Sequence, residues 1–277
     1  MDDCQRYHEI GQALMTGLKL TTYPVAVRLI EPDEEEPEGA VSPRLMFGSE
    51  VPACLVYTHC RRAGLSFYMT GDDIACKPIV MYFGLDAPAD PDDLYRAWEE
   101  HAGYKRSMEK ERKSREADLR FEPFEFKGLA ISPLHQTIVR PHLAMIFCSP
   151  LVLSHLILAA TYDGENIVSN FNGMESSCKE GIIRTYRTNQ CQVVAPGMGD
   201  RVMAGVQDHE MLFAMPESRF EAVLDNLFRA GNRISDPSPF SVPHMTPTLG
   251  PVRIFGNPVE PRVWSALRER LAEKGGG

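Results

Sequence analysis

The sequence predicts an α/β or α+β fold in a single mixed globular domain. Apolar runs of strand length alternate along the chain with amphipathic helical patterns. The 277 residues are 43% hydrophobic and 24% charged, which is typical of a folded protein with one sizeable core. No linker or shift in composition divides the chain. We therefore expect one domain over residues 1–277, with 235–277 as a candidate C-terminal extension.

Helices are predicted where apolar residues recur at helical spacing between capping or stop residues. In the first, Tyr7, Ile10, Leu14 and Leu18 share one face. The predicted helices span residues 3–18, 51–62, 91–101, 151–161, 176–188, 220–228 and 259–271. The charged segment 104–120 is expected to form a solvated helix with ion pairs four residues apart.

Strands are predicted at short apolar runs that turn residues bound. They span residues 23–30, 65–70, 78–84, 128–134, 142–147, 167–172 and 253–256. Two further runs, 201–207 and 210–215, alternate in polarity and predict a β-hairpin that turns at Asp208. The pattern I-F-x-x-P begins at both Ile146 and Ile254, each time between a strand and a helix. This repetition favours a duplicated βα unit.

Charge and hydropathy exclude several classes of protein. The chain has 29 Lys and Arg against 38 Asp and Glu, a net charge of −9, which disfavours binding to nucleic acid or to an anionic membrane. No apolar run approaches the roughly 20 residues that span a bilayer, and the N-terminus lacks the pattern of a signal peptide. We expect a cytoplasmic protein whose partners are a small-molecule substrate, an electron donor and a second copy of the chain.

The seven cysteines are the first candidates for chemistry. None forms a C-x-x-C pair, which excludes the usual zinc-ribbon, thioredoxin and ferredoxin spacings. Cys54 and Cys178 lie in the first turns of predicted helices, and Cys76 lies beside Lys77. Helix N-termini and neighbouring cations favour thiolates. These three cysteines are therefore predicted to be anionic ligands or nucleophiles, and Cys148 is a candidate fourth ligand.

Several motifs together carry a resemblance to a known family. They are Gly17-Leu18-Lys19 before Tyr23-Pro24-Val25-Ala26-Val27, Cys54 opening a helix, Cys76 after an acidic turn, Ser177-Cys178 with Arg184-Thr185-Tyr186, and Pro196-Gly197-Met198-Gly199-Asp200-Arg201 with Asp208-His209-Glu210-Met211. In order and spacing the chain resembles the DUF169 family of uncharacterised bacterial and archaeal proteins, from about residue 10 to about residue 230. It departs from the family pattern in placing Lys77 before Pro78 and in having a cysteine at position 148.

The resemblance implies an iron–sulfur centre. Three cysteine ligands suit a [4Fe–4S] cluster with one iron open to a substrate. The leading hypothesis is an oxygen-sensitive enzyme of anaerobic metabolism, of lyase, desulfurase or reductase type. In this hypothesis Arg184 or Arg201 holds an anionic group of the substrate, and Asp208 or Glu210 donates a proton. A fourth cysteine ligand would instead close the cluster and favour electron transfer.

Two alternatives use the same thiols. The first is a non-catalytic sensor or ligand-binding protein in which the cysteines hold zinc or form a switchable disulfide. The second is an enzyme with a single cysteine nucleophile, for which Cys178 is the candidate.

Overall fold

The fold is described from a computed structural model. It covers residues 4–87, 103–116 and 118–230, together with Asp90, Asp92 and Arg96. The predicted strand at 253–256 and helix at 259–271 lie outside the described residues, as do the second copy of the I-F-x-x-P pattern and the candidate extension 235–277. All but two residues of the predicted helix at 91–101 lie outside them as well.

Six strands form one antiparallel sheet in the order β2-β3-β1-β4-β6-β5. The strands are β1 (Val25–Ile30), β2 (Phe67–Met69), β3 (Gly128–Pro133), β4 (Leu143–Cys148), β5 (Gln192–Val194) and β6 (Met211–Pro216). The mixed class predicted from the sequence is confirmed, because helices cover this sheet in one globular domain.

The helices precede, connect and follow the strands. They are α1 (Gln5–Leu18), α2 (Pro43–Phe47), α3 (Ala53–Ala63), α4 (Lys77–Tyr82), α5 (Met108–Arg115), α6 (Pro150–Ala160), α7 (a π-helix over Ser177–Arg184 that continues as an α-helix over Thr185–Thr188), α8 (Met198–Ala204) and α9 (Phe220–Arg229). Among the residues that are described, no helix is long and apolar enough to cross a membrane.

Both faces of the sheet are buried. Consecutive residues of β4 enter different cores, with Leu143 and Met145 in the first core and Ala144 and Ile146 in the second. Helices α3, α4 and α7 contribute to the first core, whereas α1, α6 and α9 contribute to the second. The sheet is the middle layer between two layers of helices, which explains why its strands read as nearly continuous apolar runs.

The strand predicted at 78–84 is wrong, because this segment forms helix α4. Pro78 lies in the first turn of the helix, and the Cys76 carbonyl accepts hydrogen bonds from the Ile79 and Val80 N–H groups at 2.9 and 3.2 Å. A short apolar run that is buried on all sides has the same pattern in a helix as in a strand.

The predicted hairpin at 201–207 and 210–215 is also wrong in its first half. Residues 198–204 form α8, and only the second run becomes a strand, β6. The Asp200 carboxylate accepts a hydrogen bond from the Gly197 N–H at 2.8 Å and so stabilises the start of α8. The strand predicted at 167–172 does not form either.

The charged segment forms α5, but it is not the solvated helix that we predicted. Glu111 and Arg115 on α5 are fully buried, whereas Arg112 on the same helix is half exposed. One face of α5 therefore packs into the protein through charged side chains.

Gly84 fixes the end of α4. Its φ of +65° lies in the left-handed region, and a Cβ built on it would approach the Glu122 carbonyl oxygen to 2.2 Å. The Phe124 N–H donates to the Gly84 carbonyl at 2.6 Å, and the Phe121 N–H donates to the Tyr82 carbonyl at 3.0 Å. The backbone after residue 120 thus closes directly onto the helix that Cys76 precedes.

We expect Gly84→Ala to lower the free energy of unfolding by at least about 3 kcal/mol, since it adds a backbone clash to the cost of a left-handed alanine. Gly48→Ala is the matched control, because Gly48 has φ +75° and nothing within 4 Å of its Cβ position. The control should lose about 1–2 kcal/mol. Urea unfolding measures both, and equal losses would show that crowding at Glu122 does not matter.

Candidate functional site

The three cysteines selected from the sequence line one cavity. Cys54 lies in the first turn of α3, Cys76 immediately precedes α4, and Cys178 is the second residue of the π-helix in α7. The other lining residues are Pro52, Ala53, Ile79, Tyr104, Glu175, Gly199, Asp200 and Met203. Cysteines that are up to 124 positions apart in the sequence therefore meet at one place beside the first core.

The cavity is narrow and opens to solvent on one side. Its volume is about 50 Å³. The empty space of the cavity together with its open mouth is about 470 Å³. Cys178 is buried at 4% exposure, whereas Cys54 and Cys76 are partly exposed. Tyr104 and Met203 are exposed at 38% and 52% and lie toward the solvent side. We call this space the cysteine cavity.

Burial keeps the three thiols protonated in the protein alone. It raises the pKa of Cys76 to about 11 and raises the pKa values of Cys54 and Cys178 well above the ordinary value of a thiol. The Cys76 thiol adds to the rise in pKa at Cys54 and Cys178, the Cys54 thiol adds to it at Cys178, and Asp200 adds to it at all three. Cys54 and Cys178 lie at helix starts as predicted, whereas Cys76 precedes a helix where a strand was predicted. The expected stabilisation of thiolates is not found in the protein alone, because burial outweighs the helix dipole.

Each thiol also has specific neighbours. The Cys54 thiol donates to the Gly199 carbonyl at 3.7 Å, and Cys178 Sγ lies 3.4 Å from the Tyr57 hydroxyl. Lys77, the cation expected to act on Cys76, instead pairs with Glu50 at 3.1 Å. Among the described residues, no group of three His, Cys, Asp or Glu side chains is arranged to hold a single metal ion.

Cys148, the candidate fourth ligand, is not part of the cavity. It lies on β4 in the second core, on the opposite face of the sheet from Cys178. Cys191 belongs to the second core as well. Cys60 on α3 is fully buried in the first core and does not line the cavity.

A buried network of charges lies behind the cavity wall. Glu175 lines the cavity and accepts from Arg115 at 3.1 Å and from Lys179 at 3.2 Å. Arg115 also binds Glu111, and Lys179 also binds Asp118. All five side chains are at most 5% exposed. We call these residues the ionic network.

Tyr82 completes the network. Its hydroxyl donates to Asp118 at 3.0 Å and accepts from Arg115 at 3.2 Å, and the Lys179 ammonium lies 4.9 Å from the ring centre. Glu175 itself has φ +40°, an uncommon conformation for a residue with a side chain. Such strain is retained only where the surrounding contacts fix it.

Asp200 connects two of the segments that form the cavity wall. Its carboxylate accepts from the Ser177 hydroxyl, from the Ser177 N–H at 3.4 Å and from the Gly197 N–H at 2.8 Å. Burial raises the pKa of Asp200 above its ordinary value, although these hydrogen bonds oppose the shift. The side chain therefore ties the start of α7, next to Cys178, to the start of α8.

The polar candidates named from the sequence lie away from the cavity. Arg184 pairs with Glu180, and Arg201 donates to the carbonyls of Gln207 and Glu210 at 2.5 and 3.3 Å. Neither arginine lines the cysteine cavity. Asp208, predicted at a hairpin tip, is exposed in the turn before β6 and does not line it either.

Glu210 is buried in an ion pair with Arg61. Its two carboxylate oxygens accept from the guanidinium at 2.5 and 2.9 Å. Burial alone would raise the pKa of Glu210, but the hydrogen bonds from Arg61 and from the Gln207 N–H hold it below its usual value. A carboxylate held in this way is a poor proton donor near neutral pH.

Sequence reasoning missed three residues of the site, since Asp200 and Tyr104 line the cavity and Tyr57 contacts Cys178. Asp200 stands in a Gly-x-Gly-Asp segment that the sequence analysis uses only for the family resemblance, and the ability of its carboxylate to cap a helix was the signal available. Tyr104 and Tyr57 have no local pattern that distinguishes them from other aromatic residues. Glu175 also lines the cavity, and it directly precedes the Ser176-Ser177-Cys178 segment.

We expect Arg115→Met to lower the free energy of unfolding by about 3–5 kcal/mol, because it leaves Glu111 buried without a cation and Glu175 with Lys179 alone. Arg112→Met on the same helix is the control, since Arg112 is 48% exposed. It should cost less than about 1 kcal/mol. Chemical denaturation with an unchanged m-value measures both, and similar losses would contradict the role given to the network.

Comparison with known proteins identifies the family. The family model described as "Uncharacterised ArCR", DUF169, matches residues 13–226, which include the three cavity cysteines, Glu175 and Asp200. No curated protein matches the chain, and no solved structure does. The match covers more than three quarters of the sequence, and the chain belongs to the DUF169 family.

Proposed function

We propose that this protein binds a [4Fe–4S] cluster through Cys54, Cys76 and Cys178 and is an oxygen-sensitive enzyme acting on a small molecule. The observation that carries the proposal is the convergence of three thiols, from three separate segments, on one cavity that opens to solvent. Thiolates are the usual protein ligands of iron–sulfur clusters. Three of them leave one iron without a protein ligand.

The charge around the thiols supports a cationic centre. Asp200 and Glu175 are both in the cavity wall, and the ionic network formally holds two cations and three carboxylates. Ionising three thiols in these surroundings without a compensating cation is costly. Metal binding removes this cost, because a coordinating thiol loses its proton. The donor set and its electrostatic surroundings therefore fit a thiolate-bound iron centre.

The same surroundings bear on the substrate. When bound, an iron with an open coordination position supplies a Lewis acid. The mouth of the cavity has Tyr104 and Met203 on its solvent side, so apolar and aromatic surface faces an incoming molecule. Arg184 and Arg201, the predicted anion holders, are engaged elsewhere. The chain's own residues thus favour a small substrate with little negative charge.

The two alternatives have less support. A nucleophilic Cys178 would need a stabilised thiolate, but burial raises the pKa of this thiol well above its ordinary value. A zinc ion would need its ligands around a single atom. The experiment below separates these functions, because each predicts a different metal content.

Anaerobic purification should yield a brown protein with a broad band near about 400 nm and with iron matched by acid-labile sulfide. Cys54→Ala, Cys76→Ala and Cys178→Ala should each lose most of the iron and the band. Cys148→Ala is the matched control, because this cysteine is as buried as Cys178 but lies on the other face of the sheet. It should retain both signals. Circular dichroism of every variant confirms that the fold survives.

A colourless, folded protein without iron, prepared with iron and sulfide under strict anaerobiosis, would overturn the proposal. Stoichiometric zinc in that protein would support the non-catalytic sensor instead. Complete inactivation by alkylation of Cys178 alone, in metal-free protein, would support the cysteine nucleophile.

A further inference from the structure

A second cavity lies at the end of the sheet where β1, β4 and β6 meet. It has a volume of about 350 Å³, within the range of small-molecule sites. Its polar lining comes from Arg28 on β1, His142 just before β4, Tyr186 on α7, and Arg140 and Glu217 at the rim. None of these residues lines the cysteine cavity. We call this space the His142 cavity.

His142 is surrounded by more donors than it can accept from. The Leu29 N–H donates to Nδ1 at 3.2 Å, and the Arg28 guanidinium lies 3.0 Å from Nε2. Burial lowers the pKa of His142 to about 4, and the positive charge of Arg28 is the next largest cause of this shift. The ring is therefore neutral at pH 7. A neutral imidazole has one acceptor nitrogen and one N–H. One of the two donors therefore has no acceptor on the ring.

The backbone pairing indicates which of the two donors, the Leu29 N–H or the Arg28 guanidinium, lacks an acceptor on the ring. Leu29 lies in β1 beyond its paired stretch with β4, which ends at Val27, so its N–H depends on Nδ1. Nε2 then carries the proton and faces a guanidinium N–H of Arg28. Two donors at 3.0 Å repel each other unless a third group accepts from both. An oxygen atom in the cavity would resolve the conflict.

The acidic groups nearby are already engaged. Glu34 accepts from the other end of the Arg28 guanidinium at 2.7 Å. The two oxygens of Glu217 accept from the Tyr7 hydroxyl at 2.8 Å and from Arg140 at 3.4 Å. These pairs neutralise the formal charge but leave an excess of donors directed at the cavity. The excess favours a ligand rich in acceptors.

We propose that the His142 cavity binds the oxyanion of a small molecule, a phosphate or carboxylate group, between Arg28 and the Nε2–H of His142. Arg140 lies at the solvent rim with 66% of its side chain exposed, paired with Glu217 at 3.4 Å, and a bound anion would compete with Glu217 for it. Tyr186 contacts the His142 ring, with centroids 5.1 Å apart, and also lines the cavity. The proposal stands independently of the iron–sulfur centre.

The test is a titration of the ¹⁵N-labelled full chain with inorganic phosphate and, separately, with acetate at constant ionic strength. We expect saturable shifts of the His142 ring nitrogens with at least one of the two anions. Arg28→Gln and Arg140→Gln should each weaken this binding about tenfold, since hydrogen bonds to charged groups are the stronger ones. Arg44→Gln is the control, because Arg44 is 56% exposed and pairs loosely with Glu50 at 3.9 Å.

The preference between the two anions identifies the ligand's group. Tighter binding of phosphate points to a phosphorylated compound, and tighter binding of acetate points to a carboxylic acid. Absence of saturable shifts with both anions would overturn the proposal. Unchanged affinity in Arg140→Gln and in a folded Arg28→Gln would do so as well, since it would identify an adventitious ion only.

Discussion

The ionic network is the constraint on which the cysteine cavity depends. Arg115 and Lys179 are buried with three carboxylates, in a region where charge is costly and every ion needs its partner. These pairs join α5 to the start of α7, and Tyr82 joins both to the end of α4. Two of the three cavity cysteines stand at helices fixed in this way. Hydrophobic packing alone would leave those helices more freedom to slide.

The network also explains why protonated thiols are compatible with a metal site. Burial and the carboxylates of Glu175 and Asp200 penalise thiolates in the protein alone. The penalty falls when a cation binds, so the site discriminates in favour of positively charged centres over free thiolate chemistry. The raised pKa values and the proposed iron centre follow from the same electrostatic surroundings. Binding of the proposed iron centre does not require a helix dipole strong enough to stabilise a thiolate against burial.

The sequence was sufficient for the elements with clear periodicity and insufficient for the charged and fully apolar ones. The first helix, the central strands and the selection of Cys54, Cys76 and Cys178 needed only local patterns. Helix α4 was taken for a strand because a short run buried on all sides has no periodicity. The burial of Arg115 depends on Glu175, 60 residues later. Contacts at that separation produce no local pattern in the sequence, so the charged segment is predicted to be a solvated helix.

Helix α7 links the two candidate sites. Cys178 stands in its π-helical part, and Tyr186 follows in its α-helical end, where it contacts His142. π-Helical turns are rare and concentrate at functional positions. Here the wider turn coincides with Gly181, whose missing Cβ lets β6 approach, since a Cβ would lie 3.1 Å from Leu212. Close packing on the sheet holds the middle of α7 while its two ends reach different cavities. Ligands at the two sites would therefore contact the same rigid helix. The geometry of each site depends on how α7 packs against the sheet.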